Sequence, residues 1–115
     1  MPTGIPEMIR TLEFVKEKPH MFVADNPVTS MECFLFGFRS GCYANTDINS
    51  LKHKNTIDEV TIERGWHFSP VPVSIEMRKR GLSDEEIIEE LLTIEIEAWR
   101  RMESLVVKER EECSK

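Results

Sequence analysis

The sequence predicts a mainly α fold, a single domain over residues 1–115 built from four to five helices. Three observations carry this. Ser83 and Glu86 form a capping box ahead of a long apolar arc, Asn26-Pro27 is a strong helix start, and Ile5, Met8, Ile9, Leu12 and Val15 recur at helical spacing. A chain of 115 residues has room for one core and none for a separate regulatory module. One short extended or strand segment fits within 57–73.

The first helix is expected over 6–18. Pro6 suits an initial position, Glu7 complements the dipole, Lys16 and Lys18 suit the end, and Pro19 stops it. Residues 19–23 are apolar but too few for a useful helix, so they read as an extended connector against the core. Asn26 then caps a second helix over 27–45, with Pro27 at its first position.

Winding that second helix at about 100° per residue divides its surface into three strips. Met31, Phe34, Leu35, Phe38 and Cys42 form a core side. Cys33, Gly37, Ser40, Gly41 and Ala44 form a side of small residues, suited to close approach of another helix backbone. Glu32, Phe36, Arg39 and Tyr43 form the third. This helix is expected at the centre of the fold.

Residues 46–50 are turn chemistry, and 52–55 read as their continuation in an exposed, mildly basic loop. Thr56 with Glu59 fits a capping box and Gly65 a terminator, which gives a short third helix over 57–64. Val60, Thr61 and Ile62 are β-branched and suit a strand equally well. Trp66-His67-Phe68, Pro70 and Pro72 read as irregular or extended, and 74–80 as two helical turns ending at Gly81. The last helix should run from 84 to about 108, with 109–115 a frayed tail. Its apolar residues cover an arc of roughly 160°, wider than one neighbour needs. Either it lies across several helices of its own domain, or part of it forms a homodimer through helix 84–108.

Charge and cysteine usage narrow the function classes. The net charge of −6 resides in the second half: residues 1–54 hold six bases and six acids, whereas 55–115 hold nine and fifteen. Such a surface repels phosphate backbones, so nucleic acid is a poor partner and a basic protein a better one. The longest apolar run, 33–38, is too short to span a bilayer, and the start lacks the pattern of a secretory signal; a cytoplasmic protein with no membrane partner is expected. Cys33 and Cys42 project from opposite sides of one helix and cannot pair, so the three thiols are expected reduced.

Candidate sites are few. On the third strip, Arg39 beside a carboxylate and the Tyr43 phenol, with Phe36 as an apolar floor and Glu32 on the same face, is suited to grip a carboxylate, phosphate or carbonyl. The plain alternative is a solvent edge with a weak ion pair. Glu95 falls inside the apolar arc of the last helix, where a carboxylate needs an Arg or His from a neighbouring element, or else serves in binding or proton transfer. Trp66 and His67 either cover a pocket or plug the core edge. His20, His53 and His67 lack the spacing of a zinc site, so no metal is expected. No phosphate loop, serine elbow or other catalytic motif is present, and neither a catalytic residue nor a cofactor is assigned. A Cys42–His67 nucleophile pair is outweighed by the reading of Cys42 as a small core residue.

The pattern Lys18-Pro19-His20-Met21-Phe22, a short turn, and a helix containing Gly37-Phe38 resembles a group of small, largely uncharacterised bacterial proteins. These have an Arg-Pro-x-Met-Tyr type motif and a Gly followed by an aromatic in the second helix. Gly65-Trp66-His67 and the closing acidic helix are similar too, so the resemblance covers most of 6–106. Lys18 stands for the usual Arg, and Val23-Ala24-Asp25 for Leu-Gly. Some members resemble toxin-immunity proteins, which implies tight binding to one partner and no catalysis.

The expectation is therefore a non-enzymatic cytoplasmic protein of immunity or accessory type, binding a protein partner through its acidic half and the Glu32, Arg39, Tyr43 strip. Two alternatives stand beside it: a small-molecule-binding protein or enzyme with a pocket near Trp66, His67 and Glu95, and a structural homo-oligomer.

Overall fold

A computed structural model of the chain describes residues 4–19, 27–67 and 71–113, with side chains described as far as Lys108. It contains α1 (Ile5–Glu17), α2 (Pro27–Asn45), α3 (Ser50–Glu63), α4 (Val73–Lys79) and α5 (Asp84–Cys113), and no strand among the described residues. The all-α class is thus as expected. The connector expected at 19–23, the Asn26 cap, and Phe68 with Pro70 fall wholly or partly outside the described residues.

α1 begins with Pro6 in its first turn and buries Ile5, Ile9, Leu12 and Val15, the stripe read from the sequence. α3 differs from expectation. It starts at Ser50, because the Asn49 side chain accepts from the Lys52 backbone N–H at 3.0 Å and so caps residues taken for a loop. Thr56 is consequently interior, its hydroxyl donating to the Lys52 carbonyl, and it caps nothing. The β-branched run lies in this helix, where Val60 and Thr61 are buried; tertiary packing overrides their strand preference.

α3 and α4 end alike. Gly65 has φ 95°, with Gly65 N–H donating to the Ile62 carbonyl and Trp66 N–H to that of Thr61; Gly81 has φ 94°, with Gly81 N–H donating to Arg78 and Leu82 N–H to Met77. Both are Schellman closures, which glycine enters without steric cost. α5 opens with the expected capping box: Ser83 N–H donates to Glu86 Oε1 at 3.0 Å and Glu86 N–H to Ser83 Oγ at 3.2 Å. It then runs beyond 108, to Cys113.

The centre of the fold is α5, not α2. α5 packs against α1, α2, α3 and α4, and the most extensive contacts are with α1 and α3. Ile87, Ile88, Leu92, Ile94, Ile96, Ala98, Trp99 and Met102 are all buried, so most of the wide apolar arc is covered by helices of its own chain, with Leu91, Leu105 and Val106 half-buried and Val107 exposed. α2 is laid on one side of this assembly. Only Val28, Met31 and Leu35 of it are fully buried, with Phe34, Phe38, Cys42 and Tyr43 half-buried against the core.

Candidate binding face on α2

The position of α2 decides the fate of its three strips. The core strip faces inward as expected. The small-residue strip does not meet another helix: Cys33, Gly37, Ser40, Gly41 and Ala44 are all exposed, and a Cβ added at Gly37 or Gly41 would meet nothing within 4 Å. The physical reason is that α5 and α3 together accept only one side of α2, so the small residues are left outside.

The third strip divides. Glu32 accepts from Ser74 Oγ at 2.9 Å and ties α2 to α4. Phe36 stands 72% exposed. Arg39 and Tyr43 turn toward α3 and α5. Arg39 Nε donates to Glu95 Oε1 at 2.7 Å, and its Nη2 donates to the same oxygen. Glu95 is fully buried, and the partner its position demanded is this arginine, supplied from 56 residues earlier in the chain. Glu32 does not pair with Arg39, although the two line one groove as expected.

Behind the ion pair lies a buried polar row that the sequence reading missed. The Tyr43 hydroxyl meets His53 Nδ1 at 2.5 Å, His53 Nε2 faces Glu95 Oε2 at 3.6 Å, and the His53 ring stacks on Trp99 with centroids 3.8 Å apart. Burial pushes the Tyr43 phenol up to about 12, so it keeps its proton and donates to Nδ1. Burial, aided by the nearby Arg39 charge, pushes His53 down to about 3, so the ring is neutral, with its remaining proton on Nε2 toward Glu95. Arg39 is desolvated by its surroundings, yet the Glu95 carboxylate more than compensates and raises it, fixing the cation. Cys42, half-buried nearby, is pushed up to about 11 by burial and by Glu95, and remains an unreactive thiol near neutral pH. His53 was legible only once α3 began at Ser50: winding 50–63 as a helix sets His53, Thr56 and Val60 on one inward face.

A groove of about 360 Å3 opens beside this row, between α2, α3 and the start of α4. Leu35, Phe36, Ile57, Val73 and Leu91 supply apolar walls, and Glu32, Arg39, Asp58 and His67 its polar groups. Burial holds the Asp58 carboxyl above its ordinary value, against the opposing pull of Arg39. Four of the sequence-predicted residues, Glu32, Phe36, Arg39 and His67, therefore do share one cleft. Trp66 and Glu95 do not line it. Trp66 is buried beneath the Arg80 guanidinium, 4.7 Å from its ring centre, which plugs the core edge and covers no pocket. His67 is exposed and bonded through Nδ1 to Glu76 at 2.9 Å.

A second, wider trough of about 1150 Å3 runs along α1, α3 and α5, and none of the sequence-predicted site residues lines it. Its arginines are engaged in ion pairs: Arg100 with Glu13, Arg101 with Glu63 and Glu97, and Arg64 with Glu90. Among the described residues no three His, Cys, Asp or Glu side chains are grouped to hold a metal ion, and no helix is long and apolar enough to cross a membrane.

The exposed surface of α2 is unlike that of every other helix. Thr29, Cys33, Phe36, Gly37, Ser40, Gly41, Ala44 and Asn45 are its exposed residues, and none is charged, in a chain of which 31% of residues are. α1, α3, α4 and α5 each expose two or more charges. The two charges α2 does carry, Glu32 and Arg39, are bonded to its own fold. No family model, curated protein or solved structure matches this chain.

Proposed function

We propose that this is a non-enzymatic cytoplasmic protein of accessory or immunity type, which binds another polypeptide through the exposed face of α2 and the adjoining groove. The observation that carries the reading is Phe36, 72% exposed on a helix face without charge. A large ring left in water beside an apolar cleft costs hydrophobic free energy that a partner recovers. The groups with chemical potential point the same way. His53, Glu95, Arg39 and Tyr43 are bonded to one another, and His53 is buried away from any substrate. Because the exposed residues of α2 are uncharged, that face favours a partner by shape and apolar contact, while Glu32, Arg39, Asp58 and His67 supply the polar groups of the adjoining groove.

Native mass spectrometry of the protein, purified gently from its own cells, tests this. A stoichiometric second polypeptide is expected, and Phe36→Asp should remove it without loss of helix content. An unchanged mass profile in the variant contradicts the reading. A second reading has one observation in its favour: the groove volume of about 360 Å3 lies within the range of small-ligand pockets. A small added mass in place of a polypeptide would bring that reading forward.

A further inference from the structure

One charged group of the groove between α2, α3 and α4 is not engaged by its own fold. Asp58, half-buried on α3, forms no hydrogen bond or ion pair among the described residues. The other charged and titratable groups lining the groove do: Glu32 accepts from Ser74, Arg39 gives Nε and Nη2 to Glu95, and His67 is bonded through Nδ1 to Glu76. The Arg39 charge acts on Asp58 without an ion pair, and burial outweighs it.

That arrangement limits what can cover the groove. An apolar side chain would take more water from Asp58 and leave its charge unanswered. An anion would meet the carboxylates of Asp58 and Glu32, while Arg39 is already committed to the buried Glu95. A cation meets a free carboxylate, and Leu35, Phe36, Ile57, Val73 and Leu91 offer apolar walls to the carbon stem that carries it. The exposed Phe36 ring adds a face on which a cation can rest. We infer that the groove receives a lysine or arginine side chain of the bound polypeptide, its charged head at Asp58 and its stem along the apolar walls; this deepens the polypeptide-binding reading above and rests on it. The uncharged face of α2 then supplies contact area, and the groove selects for a basic residue at one position of the partner.

Two-dimensional amide NMR of the full chain, titrated with acetyl-Leu-Ala-Arg-Ala-Leu-amide and with the same peptide carrying citrulline for arginine, reads this directly. Citrulline keeps the shape of the side chain and removes its charge. The arginine peptide should move the signals of Phe36, Ile57, Asp58 and Val73 and bind at least ten-fold more tightly than its citrulline twin, and Asp58→Asn should abolish that preference. The same variant should not lower the thermal midpoint, because the carboxylate it removes holds nothing in the fold. Equal affinity for the two peptides, a preference that survives Asp58→Asn, or no movement of those signals up to about 10 mM peptide overturns the inference. Propylguanidine, the same charged group without a backbone, should bind at least ten-fold more weakly than the peptide; equal binding overturns a polypeptide as the source of the cation. In native mass spectrometry Asp58→Lys should strip the polypeptide as Phe36→Asp does. If Phe36→Asp strips it and Asp58→Lys does not, only the basic side chain is lost. If neither does, the binding reading falls with it.

Discussion

Arg39 and Glu95 form the contact on which the polar interior depends, and the two residues are unequal. Glu95 is wholly buried, whereas the Arg39 side chain is 30% exposed. Removing the arginine strands a buried carboxylate, so Arg39→Met should cost about 3–5 kcal/mol in urea unfolding. The double variant Arg39→Met with Glu95→Leu should be more stable than Arg39→Met alone, because no charge is then left unpaired. A double variant less stable than that single variant would show that the pair is not the cause. Glu95 was legible in the sequence as a carboxylate inside an apolar arc that needed an Arg or His, and it has both beside it. Which ones was not legible, since Arg39 and His53 are brought in by packing from distant segments.

His53 gives the interior a signature in pH. Its folded value is depressed, to about 3 from an ordinary 6.5, so the unfolded chain binds the extra proton between those limits. Its contribution to stability is fully present above 6.5 and is lost as pH falls toward 3, with a slope of at most about 1.4 kcal/mol per pH unit. Thermal or urea unfolding across that range should therefore show a steeper acid loss in the native sequence than in His53→Gln. Parallel curves would mean that His53 is not held neutral.

At the scale of elements, helix ends carrying both halves of a signal were readable. Ser83 with Glu86, and Gly81 after α4, fell where local chemistry put them. α3 was misread because two candidate caps compete, Asn49 and Thr56, and only one is at a helix start. Thr56 spends its hydroxyl on the Lys52 carbonyl and Asn49 holds the Lys52 N–H. Asn49→Ala should accordingly destabilise the protein by about 1 kcal/mol, measured by urea unfolding. Glu59→Ala, expected from sequence to break a capping box, should have little effect. The reverse order would restore the shorter helix. The small residues of α2 were expected to admit another helix and instead face outward, because their spacing shows that close approach is possible but not which side of the helix the rest of the chain covers.

For the molecule as a whole, α5 is the beam to which every other helix is fixed; the sequence put α2 at the centre, and the arc of roughly 160°, too wide for one neighbour, left open whether its own domain or a second copy covered it. Trp99 sits at its middle, fully buried and stacked on His53, so Trp99→Ala should cost about 3–5 kcal/mol and show as a large drop in thermal midpoint. Because α5 uses its apolar surface on α1 to α4, the uncharged surface left over is that of α2. That is why the proposed binding face lies on α2, the helix whose Glu32, Arg39, Tyr43 strip the sequence already singled out, and not on the acidic second half read alongside it.

The most direct measurement replaces Phe36 by photoreactive benzoyl-phenylalanine and irradiates living cells, with the same group at Glu59 on α3 as control. An adduct of defined mass from position 36 and none from position 59 is the predicted result, and a mass of two chains would identify the partner as a second copy. No adduct from position 36, or equal adducts from both positions, would contradict the assignment of α2 as the binding face.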